Sequence, residues 1–309
     1  MSEPGIVVVG SLNADLTVRV PRFPAPGETI SGDGFAIVAG GKGANQAAAA
    51  GRLGGRVAMI GQVGADANGT LLRDALNASG VDARLVAVDE AAATGVAVIT
   101  IDANGENEIV LAAGANGTYA PERLAPALGA LRAARVVLLQ LEIPLATVMR
   151  AAAEARSAGA VVVLDPAPAV PIPDQLLALA DYVTPNEREL AILAGRQPTG
   201  DDTTLDDVDA MARTVLERRA QRVLVKLGAR GARLVTLDGL QSWPARHVHA
   251  VDTTAAGDAF NGALAVALTE GATLDQAVRF ATIAASISVT RAGAQPSLPS
   301  RTEVDATDV

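Results

Sequence analysis

The chain has 309 residues, of which 50% are hydrophobic and 19% are charged, so it can bury a sizeable core, and this excludes disorder as its main state. Its formal net charge of −9 disfavours nucleic acid as a partner, because a phosphate backbone would be repelled. The chain has no cysteine, which excludes disulfides, thiol catalysis and zinc sites built from cysteine.

The chain begins with a pattern typical of a core strand. Residues 6–9 are Ile and Val between two glycines, and neither a basic segment nor a long apolar segment of a secretion signal precedes them. The apolar runs at 44–50 and 281–289 are shorter than the roughly 20 residues that span a bilayer. We therefore expect a soluble, cytoplasmic protein without a membrane partner.

Strands and helices alternate along most of the chain. Apolar, β-rich runs predict strands at 6–9, 56–60, 135–140, 160–164, 182–184 and 222–227. Helical patterns lie between or after them, at 44–53, 67–79, 144–158, 205–219, 256–268 and 274–289. Such alternation is typical of a parallel sheet with helices on both faces. We predict a single three-layer α/β domain over residues 1–309, with a disordered tail only at 302–309.

Two segments, at about 16–39 and 94–112, interrupt this alternation. They have the pattern of short alternating strands joined by Pro, Gly and Asn turns, with a hairpin turn at 103–106. We expect them to pair into a small antiparallel sheet outside the main fold. Both segments leave the core near the presumed ends of parallel strands, where open α/β sheets bind ligands, so the sheet could cover a site as a lid. A decorative role or a dimer contact is the alternative.

A glycine-rich turn at residues 40–45 opens the first predicted helix and has the sequence GGKGAN. It does not fit a P-loop, because Gly43 stands where a Ser or Thr would hold the metal. The first strand carries no dinucleotide fingerprint, because Leu12 stands where a second glycine is needed. A backbone that a ligand can approach closely, followed by Lys42 and Asn45, suits a small polyhydroxylated molecule. A tight strand-to-helix connection is the alternative.

The two histidines, His247 and His249, are two positions apart. This spacing places both on one face of a strand, so a two-histidine metal site is formally possible. A polar outer face of the strand is the alternative.

A second motif, DTTAAGD at residues 252–258, begins the next helical pattern. N–H groups at the start of a helix can converge on an anion with the helix dipole behind them, and here they belong to Ala255, Ala256, Gly257 and Asp258. A carboxylate beside such an anion hole can accept a hydroxyl proton while the hole stabilises a transferring phosphoryl group. The alternative is that Asp258 only caps the helix.

Together, the two motifs resemble the two signatures of the ribokinase-like (PfkB) carbohydrate kinase family, and the resemblance runs from about residue 10 to residue 297. It implies a ribokinase-like fold with a small β lid. It also implies transfer of the γ-phosphoryl group of ATP to the 5-hydroxyl of D-ribose, with Asp258 as the base and with Asn13 and Asp15 favouring ribose over a deoxy-sugar. Another small sugar or nucleoside as acceptor (2-deoxyribose, fructose or adenosine) is the alternative, as is a non-catalytic sugar-binding protein.

The resemblance further implies roles for individual residues. Those expected to bind the sugar are Asn13, Asp15, Gly41, Lys42, Asn45, Glu142 and Asp258. Those expected at the anion hole are Ala255, Ala256 and Gly257. Those expected to bind ATP are Asn186, Lys226, Gly228, Gly231, Gly257 and Thr282. Mg²⁺ is expected at Asn186 and Glu189, and an activating monovalent cation, K⁺, at Asp252, Thr254, Ser288, Arg291, Gly293 and Ser297.

Two positions depart from the family pattern, and one segment has a simpler structural explanation. Thr282 stands near the expected adenine pocket, where His or Asn is more usual, so the contacts to the base are left open. Ser288 stands where Ala is more usual, but it would offer a backbone carbonyl, which does not depend on the side chain. The turn at 226–231 is also explained as an ordinary β-turn between two strands.

The resemblance also suggests a homodimer in which the two small sheets contact each other. Alternating apolar residues such as Val96, Val98 and Ile109 would give each sheet a face to bury.

Overall fold

The strands of the main and small sheets are short and rich in β-branched residues. Within residues 3–198 and 203–307, which the computed structural model describes, the strands are β1 (Ile6–Val9), β2 (Asn13–Arg19), β3 (Asp33–Gly40), β4 (Val57–Gly64), β5 (Val81–Asp82), β6 (Val86–Asp89), β7 (Gly95–Ile101), β8 (Asn107–Ala112), β9 (Val136–Leu139), β10 (Val161–Leu164), β11 (Tyr182–Val183), β12 (Val223–Lys226), β13 (Ala232–Val235) and β14 (Leu240–Trp243). Each predicted strand is present, within four residues of its predicted bounds.

Over the same described ranges, six helices begin and end close to the predicted bounds, and four shorter ones were not predicted. The helices are α1 (Lys42–Arg52), α2 (Ala67–Ala78), α3 (Leu128–Ala133), α4 (Leu145–Ser157), α5 (Asp174–Leu179), α6 (Glu187–Leu193), α7 (Leu205–Glu217), α8 (Ala256–Glu270), α9 (Leu274–Ser288) and α10 (Arg301–Asp305). The four that were not predicted are α3, α5, α6 and α10. Among these helices, none combines the length and the apolar character needed to cross a bilayer.

The main sheet has the strand order β14-β13-β12-β11-β10-β9-β1-β4-β5, and β6 also pairs with β4. All neighbours from β12 to β5 are parallel, whereas β12, β13 and β14 form an antiparallel edge. β1 and β9 lie near the centre, and every residue of both strands is buried. Burial on both faces explains why these strands have continuous rather than alternating apolar sequences.

Two apolar cores lie on opposite faces of this sheet. Val7 and Val9 of β1 pack into one core with residues of α4, α6 and α7, whereas Ile6 and Val8 pack into the other with residues of α1, α8 and α9. Alternate residues of β1 therefore pack into different cores, because successive side chains of a strand point to opposite faces of the sheet. This confirms the predicted three-layer α/β fold.

A second, smaller sheet has the order β3-β2-β7-β8, and we call it the small sheet. Its two outer pairs, β2/β3 and β7/β8, are antiparallel, as predicted for the two inserted segments. The two hairpins join through β2 and β7, which run parallel, a detail that local turn signals do not contain. The large side chains exposed on this sheet are Phe35, Ile37, Val98, Ile109, Val110 and Leu111.

The C-terminal segment is more ordered than predicted. Residues 301–305 form α10, for which Ser300 and Glu303 supply a capping box, and Val304 is fully buried. The prediction of a disordered tail from residue 302 is therefore wrong for 302–305, because a cap and one apolar anchor hold this turn. Residues 308 and 309 lie outside the described residues.

Candidate active site

The carboxyl ends of neighbouring parallel strands carry polar side chains at one edge of the main sheet. Asp165 directly follows β10, Asn186 follows β11, and Lys226 ends β12. A cavity of about 750 Å³ lies along this edge, lined by these three residues together with Asp258 of α8. The carboxyl edge of an open α/β sheet is the usual place for a ligand, and the cavity is large enough for a small molecule.

The glycine-rich turn is packed so closely that side chains would not fit. A Cβ on Gly40 would lie 2.0 Å from Oδ2 of Asp15, and Gly41 has a φ of 88°, in the left-handed region. α1 then begins at Lys42, whose N–H donates to Oε2 of Glu142 at 3.1 Å. The turn thus brings Asp15, Lys42 and Glu142, three of the predicted sugar-binding residues, into one place.

Asn13 and Asp15 lie on β2 and are buried beside this turn. Burial, together with repulsion from Glu142 and Asp258, raises the pKa of Asp15 to about 7. Oδ1 of Asn13 accepts a hydrogen bond from Nδ2 of Asn116 at 2.8 Å. Sequence reasoning missed Asn116, because a partner 103 residues away leaves no local signal.

Asp258 lies in the first turn of α8 and is 4% exposed. Its Oδ2 accepts from Nδ2 of Asn45 at 3.1 Å, and its Oδ1 accepts from Nε2 of Gln46 at 3.1 Å. Its side chain does not cap the helix. Burial raises the pKa of Asp258 to about 6, against the opposing attraction of Lys42. A carboxylate with this pKa is ionised at neutral pH and can accept a proton.

Lys42 is the cation at the centre of these carboxylates. Burial disfavours its charged form, but attraction from Asp258, Asp165, Glu142 and Glu189 outweighs burial and holds the pKa of Lys42 above its usual value. The ammonium is therefore charged at neutral pH.

The N-terminus of α8 has an unusual backbone. Ala255 adopts a left-handed conformation with a φ of 59°, uncommon for a residue with a side chain. The N–H of Ala256 donates to the carbonyl of Thr253 at 3.2 Å, so this predicted member of the anion hole already has an acceptor. Gly257 and Asp258 follow in the first helical turn, where N–H groups have no acceptor within the helix. The role of these N–H groups as an anion hole stays a prediction.

Two further residues of this cluster, Gln46 and Asp165, were missed by sequence reasoning. Asp165 is 2% exposed, accepts from Nε2 of Gln46 at 2.8 Å and pairs with Nζ of Lys226 at 2.8 Å. A signal for Asp165 was present, since it directly follows a predicted apolar strand. Gln46 gave none, because its partners lie more than 100 residues away.

Asn186 and Glu189, the predicted Mg²⁺ residues, form a capping box at the start of α6. The Glu189 N–H donates to Oδ1 of Asn186 at 2.8 Å, and the Asn186 N–H donates to Oε2 of Glu189 at 2.7 Å. Over the described part of the chain, no group of three or more His, Cys, Asp or Glu side chains is placed to hold a metal ion. Two oxygen-bearing side chains at a cavity fit Mg²⁺ only where water and phosphate supply most of the ligands.

The turn after β12 borders the same cavity. Gly228 and Gly231 have φ values of 56° and 94°, and a Cβ on Gly231 would lie 1.9 Å from the carbonyl oxygen of Trp243. Thr282 of α9 also lines the cavity, but its hydroxyl donates to the carbonyl of Val278 at 2.8 Å. Its oxygen therefore remains available only as an acceptor.

The residues expected around K⁺ lie on two segments that are joined by Asp252. Its Oδ1 accepts from the Thr254 N–H at 2.9 Å, and its Oδ2 accepts from the Gly293 N–H at 2.8 Å. Ser288 and Ser297 are fully buried on the second segment. The two segments thus meet, and they carry the carboxylate, hydroxyl and carbonyl oxygens that a hard cation prefers.

The interpretation of His247 and His249 requires a correction. Both lie in an irregular segment between β14 and α8, so the alternation of a strand does not apply to them. Both are exposed, and His247 lines the large cavity. The prediction that both histidines lie on one face of a strand is therefore wrong.

Comparisons with known proteins agree over nearly the whole chain. The family described as pfkB family carbohydrate kinase matches residues 3–301. The ribokinase of Haemophilus influenzae is 40% identical over 298 residues, which cover 96% of this chain and 96% of that protein. The deoxyribokinase of Salmonella typhimurium is 37% identical over 298 residues, which cover 96% of this chain and 95% of that protein. The structure of Arabidopsis thaliana ribokinase complexed with ribose and ATP has a TM-score of 0.92 and 38% identity, and the match covers 99% of this chain and 98% of that one.

Proposed function

Because this chain belongs to the pfkB family of carbohydrate kinases, we propose that it transfers the γ-phosphoryl group of ATP to the 5-hydroxyl of D-ribose. The products are D-ribose 5-phosphate and ADP. The observation that carries the proposal is the position of Asp258, a buried carboxylate that contacts Asn45 of the glycine-rich turn and stands in the first turn of α8. One group thereby joins the predicted sugar pocket to the predicted anion hole.

The proposed reaction is a direct displacement at phosphorus. Asp258 accepts the proton of the sugar hydroxyl as its oxygen bonds to the γ-phosphorus, and the bond from that phosphorus to the bridging oxygen breaks as ADP leaves. The backbone N–H of Gly257, its neighbours and the dipole of α8 stabilise the charge on the equatorial oxygens. A cavity that excludes water also limits the hydrolysis of ATP.

The sugar is held in this proposal by hydroxyl-binding groups from β2, α1 and the segment after β9. Asn13, Asp15, Lys42 and Glu142 are hydrogen-bonding or charged groups, three of them ordered by one another through the glycine-rich turn. Oδ1 of Asn45 is buried and has no hydrogen-bond partner within the described residues. A sugar hydroxyl would satisfy this acceptor, and buried polar groups of this kind discriminate strongly against an analogue that leaves them unpaired.

Mg²⁺ enters the proposal with the nucleotide. Mg²⁺ bound with the nucleotide would offset the negative charge of the phosphates. The capping box already engages one oxygen of each of the side chains of Asn186 and Glu189. These side chains would therefore contact the metal through its water ligands. Lys226, Gly228 and Gly231 border the cavity and would contact the nucleotide.

A monovalent cation, K⁺, is proposed on the two segments joined by Asp252. A cation there would draw together the segment that leads into α8 and the turn that follows α9. Its role would be to fix the backbone of residues 255–257 in the conformation that receives the phosphoryl group.

We also propose a homodimer formed through the small sheet. The strand registers place Phe35, Ile37, Val98 and Val110 on one face of the small sheet, and Phe35 and Val110 are each more than half exposed. This face forms an apolar surface that a second copy would cover. Ile109 lies on the opposite face. We also propose a cytoplasmic location, which the use of ATP as donor supports.

The proposal is tested by ADP release with MgATP against ribose, 2-deoxyribose, fructose, adenosine and uridine, each with K⁺ or Na⁺ as the only monovalent cation. We expect the highest kcat/KM with ribose and a dependence on K⁺. Preference for 2-deoxyribose or another acceptor would overturn the choice of substrate, and equal rates with Na⁺ would overturn the proposed cation site.

A further inference from the structure

An ion pair between Lys226 and Asp165 lies inside the cavity. Nζ of Lys226 is 2.8 Å from Oδ1 of Asp165, and the two side chains are 12% and 2% exposed. A buried pair is weak evidence for a stabilising role, since replacing such a pair by apolar residues is often neutral or stabilising. Stability alone therefore does not account for two buried charges here, and we look for their role in what the cavity binds.

The pair is connected to Asp258 through one side-chain amide. Nε2 of Gln46 donates to Oδ2 of Asp165 at 2.8 Å and to Oδ1 of Asp258 at 3.1 Å. The orientation of this amide is fixed, because its Oε1 accepts from Nε2 of Gln140 at 2.6 Å. Lys226, Asp165, Gln46 and Asp258 therefore form one continuous chain of hydrogen bonds.

The ammonium at the other end of this chain lies against the start of α8. A Cβ on Gly257 would lie 3.1 Å from Nζ of Lys226, so the absence of a side chain at this position leaves room for the ammonium. The backbone of Lys226 also pairs with Asn186 in a parallel β-bridge, beside the expected phosphates. The charge of Lys226 thus stands between Gly257 and the Asn186–Glu189 element.

We propose that Lys226 is a further catalytic residue, whose ammonium contacts the transferring phosphoryl group from the side of Gly257. Asp165 is the positioning residue that holds this ammonium, and Gln46 fixes Asp165 relative to Asp258. Without the ammonium, the Asp165 carboxylate would face the incoming phosphates with its negative charge unopposed. The inference rests on the proposed kinase activity.

The test distinguishes two roles of Lys226: stabilising the transferring phosphoryl group, or only neutralising the charge of Asp165. Lys226→Met removes the charge, Lys226→Arg retains it, and the double variant Lys226→Met with Asp165→Asn removes both charges of the pair. Arg233→Met with Asp209→Asn is the matched control, because that pair is also mostly buried and does not line the cavity. Arg233 lies one strand away on β13, and Asp209 lies on α7. For each protein, kcat, KM for the sugar, KM for ATP and Tm are measured.

We expect Lys226→Met to lower kcat by about 10²-fold, the usual effect of losing one group that stabilises the phosphoryl or oxyanion charge. The double variant regains Tm because no unpaired carboxylate is left, yet its kcat stays at least about tenfold below that of the unmodified protein. KM for the sugar changes less than about twofold, Lys226→Arg regains part of kcat, and the control pair changes Tm without changing kcat.

A double variant with kcat restored to nearly that of the unmodified protein would overturn the inference, because Lys226 would then only neutralise Asp165. If Lys226→Met alone does not fold, the kcat of the double variant still tests the role of Lys226. The proposed function is judged separately, on the unmodified protein: if it turns over another sugar in place of ribose, the substrate proposal fails and the variants are measured with that sugar.

Discussion

The side-chain amide of Gln46 donates to the carboxylate of Asp258 at 3.1 Å, and this bond favours the ionised form of Asp258. Burial has the opposite effect, and the balance leaves the pKa of Asp258 at about 6. The group proposed as the base is thus kept ionised at neutral pH by donors from the helix that follows the glycine-rich turn.

Replacing Gln46 by Met should therefore move the pH dependence of catalysis. Loss of a donor to the carboxylate raises the pKa of Asp258 above about 6, so the acid limb of the kcat profile shifts to higher pH. The profile is measured between pH 5 and pH 9 with saturating substrates. Gln62→Met is the matched control, since Gln62 is equally buried but contacts Asp89, away from the cavity. An unshifted acid limb in Gln46→Met would contradict this account of Asp258.

Replacing Asp258 by Asn should remove the base but keep the site. We expect kcat to fall by roughly 10³-fold or more, the range found for general bases, while sugar still binds in calorimetry. Asn retains only one acceptor for the two donors of Asn45 and Gln46, so a small loss of Tm is also expected. Retention of most of kcat would remove Asp258 from the role of base.

Replacing Gly40 by Ala should weaken sugar binding. The added Cβ would lie 2.0 Å from Oδ2 of Asp15, so the carboxylate must move, and KM for the sugar rises by at least about tenfold if that carboxylate holds a hydroxyl. Gly129→Ala provides the control, because nothing lies within 4 Å of a Cβ at that position. An unchanged KM for the sugar in Gly40→Ala would show that Asp15 does not contact it.

Replacing Val110 by Lys should separate the proposed dimer. Val110 is 69% exposed on the face of the small sheet that also carries Phe35, and a charge there opposes burial against a second copy. Light scattering at micromolar concentration is expected to give the mass of two chains for the unmodified protein and of one chain for the variant. Leu237→Lys, which changes an 81% exposed residue between β13 and β14, should leave the dimer intact. A single-chain mass for the unmodified protein would contradict the proposal.

Six parallel strands of the main sheet could be predicted from sequence because they are almost wholly buried and form continuous apolar runs; they are β1, β4, β9, β10, β11 and β12. The strands β5, β6, β13 and β14 were not predicted, because they are shorter or partly exposed. The pairing of β2 with β7 could not be predicted either, because turn signals describe only each hairpin and not how two hairpins meet. In the same way, Asp15 and Glu142 could be named as sugar-binding residues from the family resemblance, but their positions beside the glycine-rich turn depend on how Gly40 and Lys42 pack.

The site was predicted where the residue types are chemically conspicuous and missed where they act through neighbours. Gln46 and Asn116 are amides in unremarkable positions, and the cited partners lie 212 and 103 residues away along the chain. Asp165 was visible as an acid after a strand, but its pairing with Lys226 appears only when β10 and β12 are placed in the same sheet. The spacing of His247 and His249 misled because the segment is not a strand.

The central claim is tested most directly by identifying the product made from ribose and MgATP with phosphorus NMR. The account predicts a phosphomonoester whose phosphorus couples to the two protons on C5 of ribose, formed together with one equivalent of ADP. Coupling to the single proton at C1, or release of inorganic phosphate in place of a sugar phosphate, would contradict it.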